Sequence, residues 1–223
     1  MTRQELARFL DHTLLKPDAT VRDIEQLVAD ALTWNTYAVC VNSAYVPLVS
    51  QLRGHHTDLH IASTVGFPLG QALTACKVAE TEEAIAAGAD EIDLVWNLGF
   101  FLSGRHKEVE KDIQAVVNAA KAIPVKVILE TGRLSPEQMR TGAQLAVGAG
   151  AKTVKTSTGF GFGGATVEAV RILREAVGPD IGVKASGGVS TYNDALLMIA
   201  AGATRIGLSK TGQVLAEAPA QQS

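Results

Sequence analysis

Three lysines stand at equal intervals along the chain. Lys126, Lys155 and Lys184 are each 29 residues apart (155 − 126 and 184 − 155), and each falls in a short β-type run, at 125–129, 153–155 and 182–184. A fourth run, 91–95, carries Asp93. Side chains alternate faces along a strand. Lys126 therefore shares a face with Ile128 and Glu130, opposite Val125, Val127 and Leu129. Asp93 shares its face with Glu91 and Val95, opposite Ile92 and Leu94. Lys155 has the parity of Thr153, and Lys184 that of Gly182. A free lysine, with a pKa of about 10.4, is almost wholly the non-nucleophilic ammonium at neutral pH. A neighbouring cation and a dry pocket penalise that form, and lowering the pKa by about three units requires roughly 4 kcal/mol. Adjacent strands lie about 4.8 Å apart, which puts Lys155 and Lys184 within reach of each other. The arrangement suits a lysine that attacks a carbonyl and forms a Schiff base. For any one of these residues a structural salt bridge is the alternative. Three lysines and a carboxylate converging at the C-terminal strand ends favour catalysis.

The elements that must position these groups are read from a repeated phrase. Ala-Gly-Ala occurs at 87–89, 149–151 and 201–203, each time after an apolar helical pattern and before a β-type run. Glycine at a helix C-terminus takes the left-handed conformation without steric cost, so the phrase reads as a helix-to-strand loop. Its glycines are separated by 62 (150 − 88) and 52 (202 − 150) residues. Half of either is about one strand plus one helix, and eight such units fill 223 residues. Strands are expected at 10–12, 37–41, 60–65, 91–95, 125–129, 153–155, 182–184 and 205–207, with helices between them. One helix is expected to start at Ser135-Pro136-Glu137-Gln138, a capping box with proline in the first turn. No linker interrupts the alternation. The fold expected is α/β, a (β/α)8 TIM barrel with a short N-terminal helix, as a single domain over 1–223. A doubly wound open sheet is the alternative.

Composition narrows the function classes. A net charge of −3 supplies no field for binding nucleic acid or an anionic membrane. The two cysteines, Cys40 and Cys76, have no metal or redox spacing, and read as reduced thiols in a cytoplasmic protein. The first residues lack an apolar signal core, and the longest apolar stretch, near 195–203, is far short of a membrane span. No metal and no organic cofactor are expected. His55, His56 and His60 precede a strand, at the end of the barrel away from the chemistry, and read as a solvated loop.

The last three strands are followed by glycine-rich loops. These contain Thr158-Gly159-Phe160-Gly161-Phe162-Gly163-Gly164, Ser186-Gly187-Gly188, and Gly207-Leu208-Ser209-Lys210-Thr211-Gly212. Any one of them is compatible with a simple tight turn. Three together form a cradle of backbone N–H groups for an anion, and phosphate commonly sits on the late loops of such barrels. The substrate expected is a small phosphorylated carbonyl compound, with Phe160 and Phe162 closing a loop over it.

These residues resemble the deoxyribose-phosphate aldolases, a class I aldolase family. The match includes Asp11-His12-Thr13-Leu14-Leu15-Lys16, Val39-Cys40-Val41-Asn42, Val65-Gly66-Phe67-Pro68 and Asp90-Glu91-Ile92-Asp93. It continues through Val125-Lys126-Val127-Ile128-Leu129-Glu130 and Lys155-Thr156-Ser157-Thr158-Gly159-Phe160 to Lys184-Ala185-Ser186-Gly187-Gly188, covering roughly residues 8 to 209. The resemblance implies reversible cleavage of 2-deoxy-D-ribose 5-phosphate to D-glyceraldehyde 3-phosphate and acetaldehyde, without cofactor. It implies Lys155 as Schiff-base nucleophile, Lys184 as the lysine that depresses its pKa, and Asp93 as a carboxylate in proton transfer. It places Asp11, Cys40 and Lys126 along the pocket, and Thr158, Gly159, Gly187, Gly188 and Ser209 at the substrate and its phosphate. It also implies a homodimer. Glu130 is expected to neutralise Lys126. The chain departs from the family's Gly-x-Ser-Ser-type turn at Ser209-Lys210-Thr211, where Lys210 is expected to lend charge to the phosphate. Another lysine-dependent aldolase of ketose phosphates, or a non-catalytic sugar-phosphate binder, stays open. The tail from Glu217 to Ser223 matches nothing informative.

Overall fold

The three Ala-Gly-Ala phrases end their helices in one way. In a computed structural model describing residues 1–220, Gly88, Gly150 and Gly202 have φ of 108°, 101° and 109°. The amides of Gly88 and Ala89 donate back to the carbonyls of Ile85 and Ala84, both at 3.0 Å, and the same reciprocal pair recurs at Gly150–Ala151 and Gly202–Ala203. This left-handed closure satisfies the orphan carbonyls of the last helical turn. It also aims the chain into the sheet, where the amides of Asp90, Lys152 and Thr204 bond the carbonyls of Ile61, Val125 and Val183.

The strands are β1 (Leu10–Leu14), β2 (Ala38–Asn42), β3 (His60–Val65), β4 (Glu91–Val95), β5 (Val125–Ile128), β6 (Thr153–Lys155), β7 (Gly182–Ser186) and β8 (Arg205–Leu208). They form a closed parallel barrel in sequence order, β8 pairing back onto β1 through Asp11↔Gly207. Closure rules out the open sheet. The helices are α1 (Arg3–Ala7), α2 (Val21–Trp34), α3 (Val46–Arg53), α4 (Thr74–Ala86), α5 (Leu98–Leu102), α6 (His106–Ala120), α7 (Pro136–Gly148), α8 (Val167–Val177), α9 (Tyr192–Ala200) and α10 (Thr211–Glu217). α1 is the expected N-terminal helix; it buries Leu6 and Ala7, and Arg3 Nε donates to the Leu215 carbonyl at 2.8 Å. α7 starts in the expected capping box between Ser135 and Gln138. Arg3 N also bonds the Pro219 carbonyl, while the end of the tail, 221–223, lies outside the described residues.

The apolar strand faces point outward, as their parity requires. Ile92, Leu94, Val127, Val154, Val183 and Ile206 join Ile113, Val116, Ala146 and Leu173 of the helices in one core. Burying each of the larger branched side chains contributes about 1.5–3 kcal/mol. β5 ends one residue earlier than expected at its apolar run, and Glu130 beyond it turns left-handed at φ 58° and ψ 59°. Among the described residues no helix is long and apolar enough to cross a membrane.

Candidate active site

The inward strand faces carry the charges. Asp93 of β4 is fully buried and accepts from three ammonium groups: Lys126 Nζ on Oδ1 at 2.7 Å, and Lys155 and Lys184 Nζ on Oδ2, each at 2.8 Å. Strand register explains the convergence. Asp93 is level with Lys126 on the next strand, and Lys155 is level with Lys184, which is level with Arg205. Lys184 also meets Asp11 Oδ2 at 2.5 Å, and Lys126 meets Glu91 at 2.7 Å. Arg205 bonds Asp11 Oδ1 at 3.0 Å, approaches Glu91 at 3.8 Å and lies over the Tyr37 ring. The cluster thus holds four cations and three carboxylates, an excess of one positive charge.

These charges fix one another. Burial pushes the Asp93 carboxyl up, but Lys126, Lys155 and Lys184 outweigh it and hold Asp93 well below the ordinary carboxylate range. Burial works against the Lys184 ammonium, yet Asp11 and Asp93 keep its pKa well above the ordinary lysine value. Lys126 is raised in the same way by Asp93 and Glu91 against its burial. Asp11 is lowered, its burial outweighed by Lys184, Arg205 and Lys126. Lys184 therefore remains a cation beside Lys155.

A cavity of about 490 Å³ opens above the cluster at the C-terminal end of the barrel. Lys155 lines it, as do Thr158, Gly159, Gly187, Gly188, Ser209 and Lys210. Gly159, Gly187 and Gly188 all have positive φ, near 80°. Their loops touch: a Cβ on Gly164 would lie 2.4 Å from the Gly187 carbonyl, and Ala165 N donates to the carbonyls of Ser186 and Gly187. Phe160 lines the cavity and packs edge-on against Phe67 at 5.1 Å, while the Phe162 ring lies beside the Arg133 guanidinium.

Several expected residues sit elsewhere. Asp11, Cys40 and Lys126 lie beneath the cavity rather than along it, because their strand positions are deeper in the barrel. Cys40 packs with Leu15, Ala62 and Phe67; its Sγ is 3.9 Å from Asp93 Oδ2, and burial pushes its thiol pKa up. Glu130 does not neutralise Lys126. Its left-handed backbone turns the carboxylate to Thr158, which donates through Oγ1 at 2.5 Å and through its amide. His60 opens β3 at the far end of the barrel, stacked on Tyr37. Sequence reasoning gave no role to Arg205, Lys16 or Ser186, the last two of which line the cavity. The parity rule that selected the lysines also selects Arg205, which shares its face with Gly207.

A carboxylate binding three lysines inside a (β/α)8 barrel, with one lysine open to a glycine-rimmed cavity, defines a lysine-dependent barrel enzyme. Residues 6–214 match the family described as DeoC/LacD family aldolase, and the chain belongs to it. It is 50% identical to a deoxyribose-phosphate aldolase of Coprothermobacter proteolyticus over 96% of this chain and 97% of the relative. It is 48% identical to that of Thermococcus kodakarensis over 98% and 99%. The solved structure of a deoxyribose phosphate aldolase from Aeropyrum pernix, described as a tetramer, superposes with a TM-score of 0.90 at 34% identity, covering 96% of this chain and 91% of that one.

Proposed function

We propose that the protein reversibly cleaves 2-deoxy-D-ribose 5-phosphate to D-glyceraldehyde 3-phosphate and acetaldehyde, with Lys155 as the Schiff-base nucleophile. The observation that carries this reading is the unequal placement of the lysines. Lys126 and Lys184 each hold two carboxylates and lie beneath the cavity, whereas Lys155 has Asp93 alone and faces the cavity. With four cations against three carboxylates, one amine can be neutral without leaving a carboxylate unpaired. Lys155 is the lysine with the fewest carboxylate contacts, and the one that can reach a substrate. Relatives of nearly the same length bear the name of this activity.

In the cleavage direction the Lys155 amine adds to the C1 aldehyde, and the carbinolamine loses water to give a protonated imine. The C3 hydroxyl then loses its proton while the C2–C3 bonding pair moves into the imine. This releases glyceraldehyde 3-phosphate and leaves an enamine. Protonation at C2 and hydrolysis of the imine return acetaldehyde and the free amine. Asp93, ionised in the free site, stabilises the iminium formed on Lys155. Lys184, a cation in the free site, and Asp93, joined to it at 2.8 Å, carry the protons with a water molecule, which takes the C3 hydroxyl proton and returns one to C2. Gly159, Gly187, Gly188, Ser209 and Lys210 hold the phosphate, and Thr158 fixes the loop through Glu130. One barrel domain suffices for the reaction. We further assign a homodimer and a cytoplasmic location, in keeping with an assembled relative and a soluble phosphorylated substrate.

Reductive trapping tests the mechanism. The protein is incubated with acetaldehyde and borohydride and the modified residue is mapped by peptide mass spectrometry. An ethyl group on Lys155 is expected. Its absence refutes the Schiff-base route and favours a sugar-phosphate binder.

A further inference from the structure

Ser186 ends β7 two residues beyond Lys184 and shares its inward parity. It is 5% exposed and lines the cavity, yet its Oγ is buried without a hydrogen-bond partner. Its main chain is committed on both sides. The amide donates to Thr156 Oγ1 at 3.0 Å, and the carbonyl accepts from Thr156 Oγ1 and from Ala165 N. The hydroxyl occupies room left by the missing side chain of Gly207, whose Cβ would lie 2.6 Å from Oγ. A buried polar atom without a partner is costly, and one at the wall of a binding cavity is explained when the ligand supplies the partner. Of the other hydroxyls at the cavity, that of Ser209 is exposed to solvent and the remaining three are already used. Thr13 Oγ1 donates to the Asp11 carbonyl, Thr158 Oγ1 to Glu130, and Ser190 Oγ to Asp194. Ser157 Oγ also lacks a partner but does not reach the cavity.

The height of Ser186 identifies what it meets. Lys155 is level with Lys184, so Ser186 stands two residues, about 6.6 Å, farther along its strand toward the cavity. Gly187 and Gly188 of the phosphate cradle follow immediately. A substrate with C1 at Lys155 and its phosphate in the cradle carries hydroxyls on C3 and C4 between them. The C3 hydroxyl, two carbons from the imine, belongs at the Lys155 end of the cavity. We propose that Ser186 Oγ binds the C4 hydroxyl, and so makes Ser186 a specificity-determining residue that selects phosphorylated aldehydes bearing an α-hydroxyl. The inference rests on the aldolase reading above.

The test runs the reaction in synthesis with acetaldehyde and two acceptors, D-glyceraldehyde 3-phosphate and 3-phosphooxypropanal, which has the same chain and phosphate without the hydroxyl. The wild type should prefer the hydroxylated acceptor. Ser186→Ala should lower kcat/KM for that acceptor by about fivefold, the worth of one neutral hydrogen bond. It should leave the other acceptor unchanged, which also serves as the control for folding. Equal losses on both acceptors, or no loss on either, overturn the assignment of Ser186. A wild type that joins neither acceptor to acetaldehyde, and yields no ethylated Lys155, overturns the aldolase reading and this inference with it.

Discussion

Replacing Asp93 by Asn keeps the shape of the side chain and removes one charge from a cluster that depends on it. The count changes from four cations and three carboxylates to four and two. Lys184 keeps Asp11 and Lys126 keeps Glu91, but Lys155 loses its single carboxylate. Removing one partner of a buried ion pair costs about 3–5 kcal/mol, a large part of a typical domain stability of about 5–15 kcal/mol. For a chain of this length that lowers Tm by roughly 10 °C. The pH dependence should change as well as the midpoint. In the wild type, Asp93 is depressed, so its contribution is present above its unfolded pKa and lost only as pH falls through a value well below 3.8. Lys126 and Lys184 are raised, so theirs is complete below 10.5 and lost as pH rises beyond it. These groups therefore leave wild-type stability level between about pH 7 and 9. In the variant the stranded ammonium releases its proton more readily folded than unfolded. Stability should then rise with pH, by up to about 1.4 kcal/mol per pH unit for one proton. Urea unfolding followed by circular dichroism at pH 7, 8 and 9 measures both effects. A loss under about 1 kcal/mol, or a variant profile as level as the wild type's, would refute the view that Asp93 holds the cluster's charge.

Three further outcomes are expected. Gly207→Ala places a Cβ 2.6 Å from Ser186 Oγ and 3.0 Å from Lys184 Cε; overpacking of this kind costs about 1–3 kcal/mol, and kcat should fall while the fold survives, so full activity with an unchanged melting curve would contradict the crowding. His12 is buried, which lowers its pKa to about 4 against the opposing pull of Asp30; because the unfolded chain binds the proton first, stability should drop by about 3 kcal/mol between pH 6.5 and 4, and His12→Gln should remove that slope from acid unfolding curves. Lys210→Ala should raise KM for the phosphorylated sugar about fivefold without changing that for unphosphorylated 2-deoxyribose, since an exposed charge is worth up to about 1 kcal/mol; equal effects on both substrates would place Lys210 away from the phosphate.

The faces of the strands were legible from parity alone, because a period of two leaves no freedom once the apolar face of β4 or β5 is known. The barrel was legible from the spacing of three glycines, whose left-handed φ is a property of the residue type. The pairings inside the barrel were not, since they depend on register and on the stagger of a closed sheet. Asp93 and Lys126 are level on neighbouring strands, but Lys184 reaches Asp11 only by crossing β8, where Gly207 leaves the way open. Glu130 was misread for a related reason. Its strand parity pointed it at Lys126, and nothing in a glutamate announces the left-handed turn that ends β5 one residue early and sends the carboxylate to Thr158.

The net charge of −3 conceals a buried cluster of opposite sign, and that contrast has a physical basis. Barrel interiors are ordinarily filled by branched apolar side chains, and seven charges in their place are tolerated because each meets a partner within 4 Å. Pairing alone would give an inert core. The pairing is uneven, with four cations against three carboxylates. Lys155 combines the fewest carboxylate contacts with access to the cavity. The same crowding of charge that makes the interior expensive to fold therefore leaves Lys155, held by one carboxylate, as the lysine proposed to meet a carbonyl.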